Sequence, residues 1–293
     1  MMQTREGLLI CTACGTQFDV PADKPLKACR ICDDPRQFVP PNGQSWTSLA
    51  QMRGKFHNVF KQDDVESRMT SIITEPKFAI GQRCILLETP DGNVLWDCIA
   101  FLDQETVDYI KSKGNLKAIV ISHPHYYTTH LDWAKTFDCP VYFAKDDERW
   151  VNQPDPEERR KLFATVSEPI VDDVVAIRTG GHFPGSLCLL WDKKLFIADT
   201  LVTVPSALYH IDRPPGTTSY AFMWSIPNMI PLPPNEMLKM WQALKPFEFE
   251  STHGAFAGLD VRDKNVKGRV LESMKIQARN EGWHDVAILE ESI

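Results

Sequence analysis

The sequence lacks any long apolar run. Near its start the only such stretch is Leu8 to Ile10, too short for the core of a signal peptide, and no segment approaches the roughly 20 residues that a membrane helix needs. An internal repeat is missing too, as is any tract polar enough to read as long disorder. Positive charge is not in excess: 32 Lys and Arg face 39 Asp and Glu, a formal net charge of -7. Such a field repels phosphate backbones, so neither nucleic acid nor a membrane is an expected partner. Cysteine is sparse for a disulfide framework, with eight in 293 residues, and four of them stand in close pairs. That usage favours metal binding in a reducing compartment, and the expected location is cytoplasmic. What remains is an ordinary globular composition, 43% hydrophobic and 24% charged, long enough for one large domain with an appendage or for two modest ones.

The pairs are "CTACG" and "CRIC", which place Cys11, Cys14, Cys29 and Cys32 as C-x2-C, fourteen residues, C-x2-C. Each pair can turn two thiolates toward one point, with Gly15 free to take positive φ in the knuckle. Four thiolates make a closed tetrahedral zinc site, and a module this short needs such a clip to fold. Iron in a rubredoxin-like site uses the same ligands. The segment "DDPRQFVPPNGQSW" reads as a linker ending near Gly43, so a four-cysteine module is expected over 1–42 and a second domain over 43–293.

Beyond the linker, short apolar strands alternate with amphipathic stretches. "FAIGQRCILLET" and "VLWDC" predict a hairpin across "PDGN". "DQETVDYIKSKG" predicts a helix with acidic residues in its first turn and a glycine stop. "LKAIVIS" predicts a strand buried on both faces. A short helix near 131–137, a strand at "PVYFA", a charged helix around 156–163 and the strand pair "LCLLW" and "LFIAD" follow. Helices near 235–244 and from about 261 to 281 close the chain. The pattern is that of an α/β layered domain.

The stretch "ISHPHYYTTH" packs His123, His125 and His130 into eight positions at the end of the buried strand. Residues two apart on a strand share a side, so His123 and His125 form a two-ligand half-site. His182 in "TGGHFPGS" and His253 in "STHGAFAG" lie among glycines that leave room for a ring to turn inward, and Asp199 closes "LFIAD". Together they point to a metal site. The order His-x-His, "GGHFPGS", "FIADT", "THG" resembles the metallo-β-lactamase superfamily over roughly residues 72–260. The resemblance implies an αββα sandwich with one or two metals, usually zinc, in a group made up mostly of hydrolases. It assigns His123, His125 and His182 to a first metal site, Asp199 to the bridging carboxylate and His253 to a second metal.

The chain departs from the superfamily pattern His-x-His-x-Asp-His by placing Tyr127 and Thr128 at its last two positions. With two residues inserted, Thr129 and His130 take those places, which restores one ligand and leaves the carboxylate missing. Three imidazoles can still hold a zinc ion with a fourth position open, where a water's pKa falls to ~7. The expected function is a metal-dependent hydrolase of a small molecule with one tight catalytic metal and Asp199 as the catalytic residue orienting the water. Two other readings stand beside it. Two histidines with Asp199 match a non-haem Fe(II) site such as that of sulfur dioxygenases, and a binding protein can keep a vestigial site. The aromatic stretch from Tyr209 to Trp224 is a candidate substrate wall, and Cys84, Cys98, Cys139 and Cys188 read as small buried apolar residues.

Overall fold

The structure is a computed structural model that describes residues 2–209 and 212–293. The chain divides into two compact units, Met1–Phe163 and Ala164–Ile293.

The first unit begins with a three-stranded sheet in the order Gln17–Pro21, Leu8–Cys11, Trp46–Thr47. Trp46 and Thr47 return past the proline-rich segment to pair with Cys11 and Ile10. A seven-stranded sheet follows, ordered Arg160–Phe163, Val141–Ala144, Leu116–Val120, Asn93–Trp96, Arg83–Leu87, Met69–Glu75, His57–Gln62. Leu116–Val120 lies between two parallel neighbours, and the continuous apolar run in "LKAIVIS" is what a strand covered on both faces requires. The crossover into it is the helix Gln104–Ser112, started by Asp103, whose Oδ1 accepts the Thr106 backbone N–H at 2.8 Å and the Thr106 hydroxyl at 2.6 Å.

The charged helix expected around 156–163 does not form. Pro154 and Pro156 interrupt the segment, Glu158 takes φ of 52°, and Arg160–Phe163 pairs in parallel with Val141–Ala144 as an edge strand. Of the charged residues that read as a helix face, Glu157, Glu158 and Lys161 are exposed, while Arg160 turns inward to His130.

The second unit holds a six-stranded sheet in the order Ser167–Val171, Val174–Arg178, Leu187–Trp191, Lys194–Phe196, Ser251–His253, Asp260–Arg262. Its core sets Leu195 and Ile197 with Met237, Met240 and Trp241 of the helix Pro234–Leu244 and with Val270 and Met274 of the helix Val266–Asn280. The last helix starts later than its expected position near 261, because Asp260–Arg262 is drawn into the sheet against Ser251–His253. No helix among the described residues is long and apolar enough to cross a membrane.

Removing the Asp103 cap by Asp103→Ala should lower stability by about 1 kcal/mol. Urea denaturation with an unchanged slope checks this, and an unaltered midpoint would show that the cap contributes nothing.

Candidate metal centres

The four thiols of the first module are buried and unbridged. Cys11 closes the first strand, and Gly15, at φ of 80°, turns the chain so that its N–H reaches the Cys11 carbonyl at 2.8 Å. The Cys11–Cys32 and Cys14–Cys29 sulfurs are 3.7 Å apart, and all four lie within 4.8 Å of one another. A tetrahedron with metal–sulfur bonds of about 2.3 Å has edges of about 3.8 Å, so this arrangement fits an ion. Gln44 supports it from outside. Its Nε2 donates to Cys11 Sγ at 3.2 Å while its Oε1 accepts the Cys29 N–H at 3.1 Å. Hydrogen bonds from the neighbouring thiols pull the Cys11 thiol well below its ordinary pKa, whereas burial pushes Cys14 up.

The strand leading to the histidines stops at Val120, earlier than a strand-borne His-x-His requires. His123 is extended, with φ of -169° and ψ of 174°, the conformation that a following proline imposes. Pro124–Tyr126 then makes one 3₁₀ turn, and this turn, rather than strand alternation, brings the His123 and His125 ring centroids to 4.9 Å. The His123 Nδ1 lies 2.9 Å from the Ser122 hydroxyl, and the Ser122 N–H donates to buried Asp97 at 2.7 Å.

In the second unit, His182 Nδ1 sits 2.8 Å from the Trp224 carbonyl. A carbonyl only accepts, so Nδ1 carries the proton and Nε2 presents its lone pair. That nitrogen lies 3.8 Å from Asp199 Oδ2. The Thr200 hydroxyl donates to the Gly180 carbonyl at 2.7 Å and accepts the His182 N–H at 3.2 Å. Gly181, at φ of 91°, has no room for a side chain: a Cβ there would overlap the Thr200 hydroxyl and come within 2.8 Å of Leu232 Cδ1.

One ring nitrogen from each of His123, His125 and His182 and one Asp199 oxygen lie within 4.8 Å of one another, and all four residues are buried. Two ligands held at about 2.0–2.1 Å in a tetrahedron stand about 3.3 Å apart. A modest inward shift of the 3.8 Å His182–Asp199 pair therefore suits a bound ion.

Two expected ligands are not in this group. His130 begins the helix His130–Phe137 with both nitrogens engaged: Nδ1 donates to the Tyr127 carbonyl at 2.7 Å and Nε2 accepts from Arg160 Nε at 3.0 Å. His253 sits at the end of a strand rather than in a loop. Its Nε2 is 3.0 Å from the Ser251 hydroxyl, its Nδ1 is 3.4 Å from Asp260 Oδ1, and its ring stacks on Phe196. At the positions where the superfamily aspartate is sought, Tyr127 is buried and donates to the Asp147 carbonyl at 3.1 Å. Thr129 donates to the Ala100 carbonyl at 2.8 Å. The sequence reading missed Asp97, Ser122, Thr200 and the Trp224 carbonyl. Asp199-Thr200 and Ser122-His123 are adjacent pairs, so only the ligand in each drew notice. The four remaining cysteines are buried and form no disulfide, and burial pushes Cys139 up to about 12.

No family model matches the sequence. Uncharacterized protein YmaE of Bacillus subtilis (strain 168) is 39% identical over 272 residues, which cover 92% of this chain and 93% of YmaE. This chain belongs to the YmaE family. The DIM-1 metallo-β-lactamase aligns with this member of the YmaE family at a TM-score of 0.51 and 10% identity, covering 75% of this chain and 98% of DIM-1. TMB-1 aligns at a TM-score of 0.51 and 12% identity, with 75% and 98% covered. Identities this low speak for architecture alone. The YmaE-family chain thus has the expected fold, that of the metallo-β-lactamase superfamily, with a four-cysteine cluster at its N-terminus.

Two outcomes follow for the YmaE-family chain. Gly181→Ala should weaken metal binding by the histidine group about 10- to 100-fold and leave the thiolate-bound ion in place; equal loss of both ions in metal analysis would refute this. For His130, burial and the Arg160 charge take the pKa down to about 3, whereas an unfolded histidine protonates near pH ~6.5. Its stabilising contribution is therefore complete above pH ~6.5 and is lost as pH falls toward the folded value, at up to about 1.4 kcal/mol per pH unit. His130→Gln should flatten the fall in unfolding free energy between pH 6.5 and 4.5 (roughly the upper part of that window); an identical slope would contradict it.

Proposed function

We propose that this protein is a metal-dependent hydrolase acting on a small molecule, with one tightly held ion at His123, His125, His182 and Asp199. One observation carries the reading: four buried ligand atoms converge, while Tyr127, Thr129 and His130 spend their polar atoms on other hydrogen bonds. A second strongly held ion has too few anionic groups to hold it. When bound, the ion supplies Lewis acidity that makes water acidic enough to ionise near neutral pH.

The chain's own residues do the rest. The Trp224 carbonyl fixes the His182 tautomer and the Ser122 hydroxyl holds His123, so these two imidazoles present their Nε2 atoms in fixed orientations. Asp199 places a carboxylate oxygen 3.8 Å from His182 Nε2, where it can accept a proton and orient an attacking water. An acidic balance supports a small-molecule substrate over nucleic acid, and sparse cysteines, half of them in C-x2-C pairs, support a reducing, cytoplasmic setting.

Metal analysis of protein purified without added metal should find two ions per chain, one of them lost in His182→Ala. Hydrolysis of an ester, thioester and lactam panel should fall at least about 100-fold in that variant. Three ions per chain would overturn the single-metal reading, and iron in the histidine group would move the chemistry to oxidation.

A further inference from the structure

The four-cysteine module is seated on the segment that follows the His-x-His turn. Gln17, just past the knuckle, donates its backbone N–H to the Thr128 carbonyl at 3.0 Å. A Cβ on Gly15 would lie 3.0 Å from Ala100 Cβ and 3.6 Å from the Thr128 methyl, so the knuckle backbone rests almost directly on that loop. Thr128 itself takes φ of 38°, a left-handed conformation costly for a β-branched residue and one that surrounding contacts must hold.

The Gln17 side chain is the hub of a buried polar network. Its Nε2 donates to Asp132 Oδ2 at 3.0 Å, and its Oε1 accepts from Arg5 at 3.0 Å and from Gln153 at 3.1 Å. Asp132, fully buried, is paired with Arg5 Nε at 2.7 Å. From Thr128 the chain runs back to the ligands through one tight turn, Tyr127 N–H to Pro124 O at 3.2 Å and Tyr126 N–H to His123 O at 3.0 Å. A shift of Thr128 is therefore a shift of His125.

We propose that the four-cysteine module positions the histidine loop, with Gln17 as the positioning residue, so that a divalent ion in the thiolate site strengthens ion binding by the histidine group. The knuckle is short, and an ion shared by its four thiols would lock its backbone in place. Losing that ion frees the Gly15–Gln17 backbone and releases Thr128. The coupling rests on the reading of His123, His125, His182 and Asp199 as a metal centre, but the bracing of residues 124–130 does not.

Cobalt(II) titration of the full-length apo chain separates the two sites, because thiolate ligands give near-ultraviolet charge-transfer bands that imidazole and carboxylate do not. Cys29→Ser should weaken those bands and the cobalt affinity of the thiolate site, and weaken cobalt binding at the histidine group about tenfold or more. Gln17→Ala should keep the thiolate bands and still weaken the histidine group about tenfold. Unchanged histidine-group affinity in both variants overturns the coupling.

A second measurement needs no change in the module. In His182→Ala, cobalt fills the thiolate site alone, and amide hydrogen exchange at residues 125–130 should slow on its addition. Exchange that is the same with and without cobalt refutes the brace. If instead the wild type binds only the thiolate ion, the metal-centre reading fails while this exchange result still tests the brace.

Discussion

Three imidazoles can converge on one ion only if each is held by its other nitrogen or by its backbone, and the local structure around the site is arranged to meet that constraint. The Trp224 carbonyl makes His182 a ligand through Nε2, the Ser122 hydroxyl faces His123 Nδ1, and Thr200 ties the backbone on both sides of Gly181. His130 shows what happens without such an arrangement. Its nitrogens are both spent inside the protein, and burial keeps the ring neutral with nothing left to offer an ion.

The thiolate cluster answers a different need. Its strands are short and its sheet has only three of them, so apolar burial alone does little to hold it. Gln44 links Cys11 to Cys29 across the cluster. The two groups of ligands thus differ in kind. One candidate group lies within a short module whose small sheet has three strands, and the other is a set of side chains carried by loops at the ends of longer strands.

Much of this was legible in the residue order. Paired cysteines at C-x2-C spacing, the apolar run before His123, and the glycines beside His182 each carry a local physical signal, and each led to the right element. The rest depends on neighbours that local pattern does not reveal. Residues 156–163 carry helix-favouring charges, yet an available sheet edge and two prolines made a strand of Arg160–Phe163. His253 and His130 stand outside the group that converges, and the contacts of their nitrogens with Ser251, Asp260, Tyr127 and Arg160 are set by the fold rather than by local pattern. Asp97 was invisible for a similar reason, since its work is to hold the Ser122 amide 25 residues away in sequence.

The ion pair between Arg5 and Asp132 joins groups 127 residues apart in the chain. At a synthesis rate of about 5–20 residues per second, roughly 6–25 s pass between the emergence of the two partners. For most of that interval, once Cys32 has been made and before Thr128 is, all four thiols of the module exist while the loop that they rest on does not. The first encounter of those thiols is therefore with whatever the surrounding solution holds, metal or oxidant, and the order of events during translation decides which chemistry the finished chain inherits.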